Sequence, residues 1–360
     1  MPFDSQLFGP PRHWAHTSQY CAGHASDWRE VVASGPVVRQ PPHCVNYPAE
    51  QMLARVAPTL PAAGVASLRN ARVVGPHGWI VADGDTFLPD HCWYGEERDD
   101  CPIYRRDSLR AMTRLSGVTL TLCTDWPANY AHMLFDGLSR TYLFEQAGYS
   151  WDDISHILVP DLASDGRRTA AELCGFPMDR IVTPGSYSVV ECEQLVAPTF
   201  PGIHRNIAPW VAQFWRSRTP SRSSGNRRLF ISRRGSTRNV SNEDAIESVL
   251  SSCGFETIVS GEQTVRQHYP EAEIIVGAHG AALTDVVFGS SGAVLIELTP
   301  PGHIFPYFYT AADSVGMKYF SILGSYPPGG GGTPMTADFA IDPELLRRTI
   351  GAAESELQKD

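Results

Sequence analysis

Glu273-Ile274-Ile275-Val276-Gly277-Ala278-His279-Gly280-Ala281-Ala282 decides the reading of the fold. A short apolar run closes on small residues and passes into a helical stretch ending at Phe288, the pattern of a doubly covered parallel strand feeding a crossover helix. Working outward, Leu229-Phe230-Ile231-Ser232, Thr257-Ile258-Val259, Val294-Leu295-Ile296-Glu297-Leu298 and Tyr319-Phe320-Ser321-Ile322 read as further strands. Between them fall a helix capped by Ser241, with Ile246, Val249, Leu250 and Cys253 at i, i+3, i+4 and i+7, a short helix from Thr264 to Tyr269, and a helix from Phe305 to Val315. Strands alternating with crossover helices over residues 227–326 predict a parallel sheet of Rossmann type.

Upstream the text is less regular. Residues 1–66 form an irregular segment with a short helix near 48–57, and 67–94 read as a β-meander punctuated by Gly75-Pro76-His77-Gly78 and Asp83-Gly84-Asp85. Alternation begins near Thr119: a strand at 118–123, a helix over 130–147, strands at 154–159, 180–183 and 194–197, and a helix at 168–174. Residues 67–222 therefore read as an N-terminal α/β domain carrying the meander. A Ser/Arg/Gly linker covers 218–226. Residues 327–360 supply a Gly329–Gly332 connector and a helix from Pro343 to Leu357.

The chain has 360 residues, 42% of them hydrophobic, with 29 basic against 39 acidic side chains for a net charge of -10. Such a composition excludes disorder and coiled coil, and its acidity argues against a general nucleic-acid footprint. The first residues lack a basic stretch followed by an apolar one, and no run is long enough to span a bilayer. The expectation is therefore a cytoplasmic protein, with peripheral membrane contact left open. Eight cysteines stand without zinc-site spacing and read as free thiols, Cys92 and Cys101 being the pair to check.

Three groups of residues have the makings of chemistry. On the helix after Trp126, Asn129 serves as N-cap and His132, Asp136 and Arg140 recur at intervals of four, so an imidazole and a carboxylate stack. That pairing suits a general base, or equally a solvated helix face. Arg233 and Arg234 follow a strand, where ligands of open α/β sheets bind and a guanidinium can grip a phosphate, or equally form a charged sheet edge. They belong to a run that also contains Arg216, Arg218, Arg222, Arg227, Arg228 and Arg238. Gly277-Ala278-His279-Gly280-Ala281-Ala282 offers amides to a diphosphate, and Glu297 can accept from ribose hydroxyls.

Asn129-Tyr130-Ala131-His132 through Asp136-Gly137, Ile231-Ser232-Arg233-Arg234, Asn242-Glu243, Gly254-Phe255-Glu256, Ile275 to Thr284 and Glu297-Leu298 together resemble glycosyltransferase family 61. The resemblance covers about 120–325. It implies a GT-B fold, two Rossmann-like domains facing across a cleft, with the C-terminal helix packing back on the N-terminal domain. It also implies an inverting, metal-independent transferase that takes a sugar from a nucleotide-diphosphate donor to a hydroxyl acceptor, with no cofactor. By the same resemblance Asp136 or His132 is the base. Arg233, Arg234, Gly277, His279, Gly280, Ala281, Ala282 and Glu297 hold the donor, and Asn129, Tyr130 and Arg140 lie on the acceptor side. Of the two bases Asp136 is slightly preferred, being ionised at neutral pH without help. A nucleotide-sugar epimerase or a non-catalytic binding module on the same fold are the alternatives.

Overall fold

A computed structural model describes residues 7–24, 26–106, 109–186, 188–203, 205–219, 225–260, 265–327 and 332–359. Most of the expected 218–226 linker and the Gly329–Gly331 part of the connector, with Arg222 and Thr264, lie outside the described residues. The chain divides into two compact units, Met1–Pro36 with Thr59–His204, and Val37–Pro58 with Arg205–Asp360. Both are mixed α/β.

The first unit is built on one ten-stranded sheet. Ile181–Val182, His156–Leu158, Leu109–Thr121 and Ser188–Pro198 lie parallel to their neighbours in that order. Ala63–Val74, Trp79–Ala82 and Thr86–Leu88 continue the sheet antiparallel. The meander read from the sequence is present, but as one wing of the larger sheet. Ala66, Leu68, Val73, Ile80 and Leu195 pack on one core, and Val74, Trp79, Phe87 and Ile103 on another. Asp83-Gly84-Asp85 makes the hairpin turn, with Asp85 accepting from the backbone and side chain of Arg12 at 2.8 and 2.9 Å.

The second unit carries six parallel strands in the order Phe255–Val259, Arg227–Ser232, Ala272–Ala278, Val294–Thr299, Lys318–Leu323 and His43–Cys44. Five are those read from the sequence. The sixth comes from the irregular N-terminal segment, which two residues of pairing anchor to Phe320 and Ser321. Helices Glu243–Ser252 and Pro343–Leu357 cover one face, placing Ile246, Leu250, Leu346 and Ile350 against Phe230, Ile274, Val276 and Ile296. Burying side chains of this size contributes about 1.5–3 kcal/mol each. The C-terminal helix thus spends its apolar stripe on the second unit's own sheet. Asn242, not Ser241, is the N-cap residue of Glu243–Ser252.

All eight cysteines are free, and Cys92 and Cys101 are buried in the same cluster as thiols. No helix among the described residues is long and apolar enough to cross a membrane.

Candidate functional site

The helix expected over 130–147 is not regular. Asn129 caps it, accepting from the Ala131 amide at 2.9 Å, but after Tyr130–His132 the turns widen to a π-helix over Met133–Gly137 and tighten to a 3-10 turn over Leu138–Arg140. Gly137 enables the change: a Cβ there would stand 2.9 Å from the Leu122 carbonyl oxygen, so only glycine lets this turn lie so close to the sheet. π-turns of this sort recur at functional sites because they re-aim side chains.

Two consequences follow for the predicted stack. His132 and Asp136 do meet, Nδ1 to Oδ2 at 2.6 Å, with the carboxylate buried and the imidazole partly exposed. A carboxylate has no proton to give, so Nδ1 donates and Nε2 is left as the acceptor. The slight preference for Asp136 as the group that meets substrate therefore does not fit the geometry: its oxygens face inward and the ring lies outward. Arg140, expected beside them on an acceptor-facing arc, is instead 1% exposed. Its guanidinium donates to the carbonyls of Cys123, Pro198 and His91. The π-turn rotates it off the arc and into the unit, where burial pushes its pKa down to about 10 and still leaves it charged.

Around His132 lie groups absent from the predicted set. The Trp126 ring tilts over the imidazole at 4.7 Å between centroids and Trp93 meets it edge-on at 5.3 Å. Trp126 is held with φ +49°, a backbone state that is costly for a bulky residue and that clusters at functional sites. Asp125 fixes the frame, accepting from the Trp93 amide and the Trp79 indole, each at 3.0 Å. Burial pushes its pKa up to about 6 against the pull of those donors. Asn129 and Tyr130 remain near the surface at the start of the same helix.

The second constellation lies wholly in the second unit, at the carboxyl ends of its central strands. Register sets Ile231 opposite Gly277 and Gly277 opposite Glu297, so Arg233, His279 and Glu297 emerge along one edge. His279 Nδ1 bonds Glu297 Oε1, while Glu297 Oε2 accepts from the Tyr319 hydroxyl at 2.6 Å. Arg233 is buried and donates to Ser236 Oγ and the Thr237 carbonyl at 3.3 and 2.9 Å. Its Nε has no partner among the described residues, and burial, helped by Arg238, lowers its pKa to about 10. Gly280 leaves room for that guanidinium: a Cβ there would stand 1.5 Å from Nη1.

His303 completes the cluster, 4.5 Å from His279 between ring centroids and 3.3 Å from Arg238 Nη1. Phe305 beneath it carries the guanidinium of Arg205 at 3.8 Å and of Arg55 at 4.8 Å. Arg205 and Arg238 have φ of +65° and +57°, so two of these cations sit on strained backbone. Burial, then His279, Arg238, Arg205 and Arg55, pushes His303 down to about pKa 3. The unfolded chain binds a proton there below about pH 6.5 and the folded chain does not, so stability should fall as pH drops from about 6.5 towards 3. His303→Gln should flatten that part of a thermal-unfolding profile, and an unchanged slope would contradict this origin.

The remaining predicted residues sort differently. Arg234 is exposed and engaged by Glu243, Asp244 and Glu247 of the following helix, away from Arg233. Gly277 serves packing, since a Cβ would stand 2.6 Å from Leu283 Cδ2. Ala281 and Ala282 open a 3-10 rather than an α-helix, which offers a weaker positive end than expected. Of the arginine run, Arg227 pairs with Glu256 and Glu271, and Arg228 with Glu273 and Glu354. Of the run's described members, only Arg233 and Arg238 reach the cluster. Arg55, Arg205 and His303 are further members of the cluster that the sequence reading does not contain. Nothing in the local spacing marks them, because they come from segments that only the fold brings to the strand ends.

An excess of guanidinium over carboxylate at the carboxyl end of a parallel sheet, with Arg233 buried and Arg205 and Arg238 half-buried, is suited to a multiply charged anion. A partly exposed imidazole backed by a buried carboxylate is suited to taking a proton. Two comparisons agree. The model of the family described as Glycosyltransferase 61 matches residues 130–296, which contain His132, Asp136, Arg233 and His279. An alpha-1,3-arabinosyltransferase of Oryza sativa subsp. japonica is 24% identical over 252 residues, covering 66% of this chain and 40% of the plant protein. The chain thus spans about 40% of that relative's length.

Proposed function

We propose, from the match of residues 130–296 to the model of glycosyltransferase family 61, that the protein is an inverting GT-B glycosyltransferase moving a sugar from a nucleotide-diphosphate donor to a hydroxyl acceptor. The observation that carries the reading is the arginine cluster around His279 and Glu297, with Arg233 buried and Arg205 and Arg238 half-buried. It provides for a diphosphate what a solvated surface cannot: fixed positive charge in a low-dielectric edge. The similarity to an arabinosyltransferase favours a pentosyl donor over a hexosyl one.

In this reading His132 Nε2 takes the acceptor's hydroxyl proton, with Asp136 holding the ring and stabilising the imidazolium that forms. The hydroxyl oxygen attacks the anomeric carbon as its bond to the diphosphate oxygen breaks. A single displacement inverts the configuration and needs no nucleophilic carboxylate. Arg233 and Arg238 stabilise the charge that develops on the leaving group, and Glu297 orients His279 while receiving Tyr319. Asn129 and Tyr130 flank the acceptor.

With the leaving-group charge met by guanidinium groups, transfer should not need a divalent cation. Turnover of a nucleotide sugar in excess EDTA should equal that in untreated buffer. Loss of turnover restored by Mn2+ or Mg2+ would contradict the role given to the arginines. An epimerase on the same architecture would convert donor without any acceptor, whereas a transferase makes product only when an acceptor is present.

A further inference from the structure

The first unit contains a cavity of about 350 Å³ that the mechanism above does not use. Trp28, Trp93 and Phe200 line it, together with Gln19, Glu30 and Glu96. Its size is at the lower end of small-ligand pockets, which run from roughly 300 to 1,000 Å³. One wall is shared with the reaction centre: Trp93, whose ring meets that of His132. Trp28 is fixed across the strand Ala63–Val74 because Gly64 makes room for it, a Cβ there standing 2.7 Å from the indole.

The chemistry of the walls selects the ligand. His16 and Asp90, also at the cavity, are engaged with one another at 2.8 Å, and Asp90 further accepts from the Thr17 amide. Among the described residues no arginine or lysine lines the cavity, so a phosphate or uronate finds no guanidinium or ammonium partner in its walls. Indole and phenyl faces with carboxylate and amide rims are suited to a neutral polyol, whose C–H face stacks on an aromatic ring while its hydroxyls donate to carboxylates. We propose that this cavity is a saccharide subsite holding neutral sugar rings of the acceptor, with Trp93 as the wall between the bound rings and His132.

The proposal rests on the glycosyltransferase reading, so its test has two arms. Isothermal calorimetry and saturation-transfer NMR on the full chain would use neutral xylo-, cello- and arabino-oligosaccharides as probes, with spermine and a uronic-acid oligomer as charged controls. At least one neutral oligosaccharide should bind. Trp28→Ala should weaken that binding at least about 10-fold, as for a buried aromatic anchor. Gln19→Ala and Glu96→Gln, which leave the core intact, should each weaken it measurably, with Tm used to verify folding. Binding of no neutral saccharide, preference for spermine or the uronate, or unchanged affinity in the Gln19 and Glu96 variants would overturn the assignment. Nucleoside diphosphate titrated into the wild-type protein separates the arms: if it binds while the saccharide arm fails, only the cavity assignment falls, and if it does not bind, the glycosyltransferase reading falls.

Discussion

Replacing His132 with alanine is expected to lower turnover by about 10²- to 10⁴-fold at saturating donor and acceptor, the range general base catalysis typically supplies. Donor affinity should stay near the wild-type value, because the ring interacts with the acceptor proton and not with the diphosphate. Asp136→Asn should cost less. It preserves size but replaces an ionic partner of Nδ1 with a neutral amide, so the ring keeps its place and loses the anion that stabilises the imidazolium formed in the transfer. This ordering distinguishes the two residues. A larger loss on Asp136→Asn than on His132→Ala would make the carboxylate the base, and near wild-type turnover in both would leave the pair a structural feature of the π-turn.

The second large effect falls on the donor. Arg233→Ala should weaken nucleoside diphosphate binding by about 1.5–3 kcal/mol, as for a charge-assisted hydrogen bond, which is roughly 10- to 150-fold in affinity. Lysine should restore part of it, as a point charge without the fork. Arg234→Ala should leave affinity unchanged, because its guanidinium is spent in solvent on Glu243, Asp244 and Glu247. Gly280→Ala adds no charge change, yet its Cβ occupies the place of Arg233 Nη1. It should therefore reproduce most of the Arg233→Ala loss. Calorimetry on the four variants decides the matter: equal losses for Arg233→Ala and Arg234→Ala, or none for either, would contradict the placement.

The second unit was the more legible in sequence because its strands are covered on both faces. Ile274, Ile275, Val276, Leu295 and Ile296 then read as unbroken apolar runs, and the helix bounded by Pro343 and Leu357 was read with its observed limits because proline and an apolar stripe mark it. The strand His43–Cys44 was not legible, since two residues of pairing leave no period and its partner lies far away in the chain. Arg55 escaped for the same reason. At the other centre the spacing of His132 and Asp136 was sufficient to predict their contact, whereas Arg140 was misplaced because periodicity assumes one kind of helix throughout. The five residues of π-helix that break this assumption depend on Gly137 and the sheet behind it, a tertiary cause that no local window contains.

The central claim is that the chain transfers a sugar with inversion, and NMR-monitored turnover of a panel of uridine and guanosine diphosphate sugars with neutral oligosaccharide acceptors tests it most directly. The account predicts that at least one donor is consumed only when an acceptor is present, with nucleoside diphosphate released and a new glycosidic bond of opposite anomeric configuration. Consumption of no donor across the panel would contradict the transferase reading, and a product that retains the donor's configuration would contradict the single displacement.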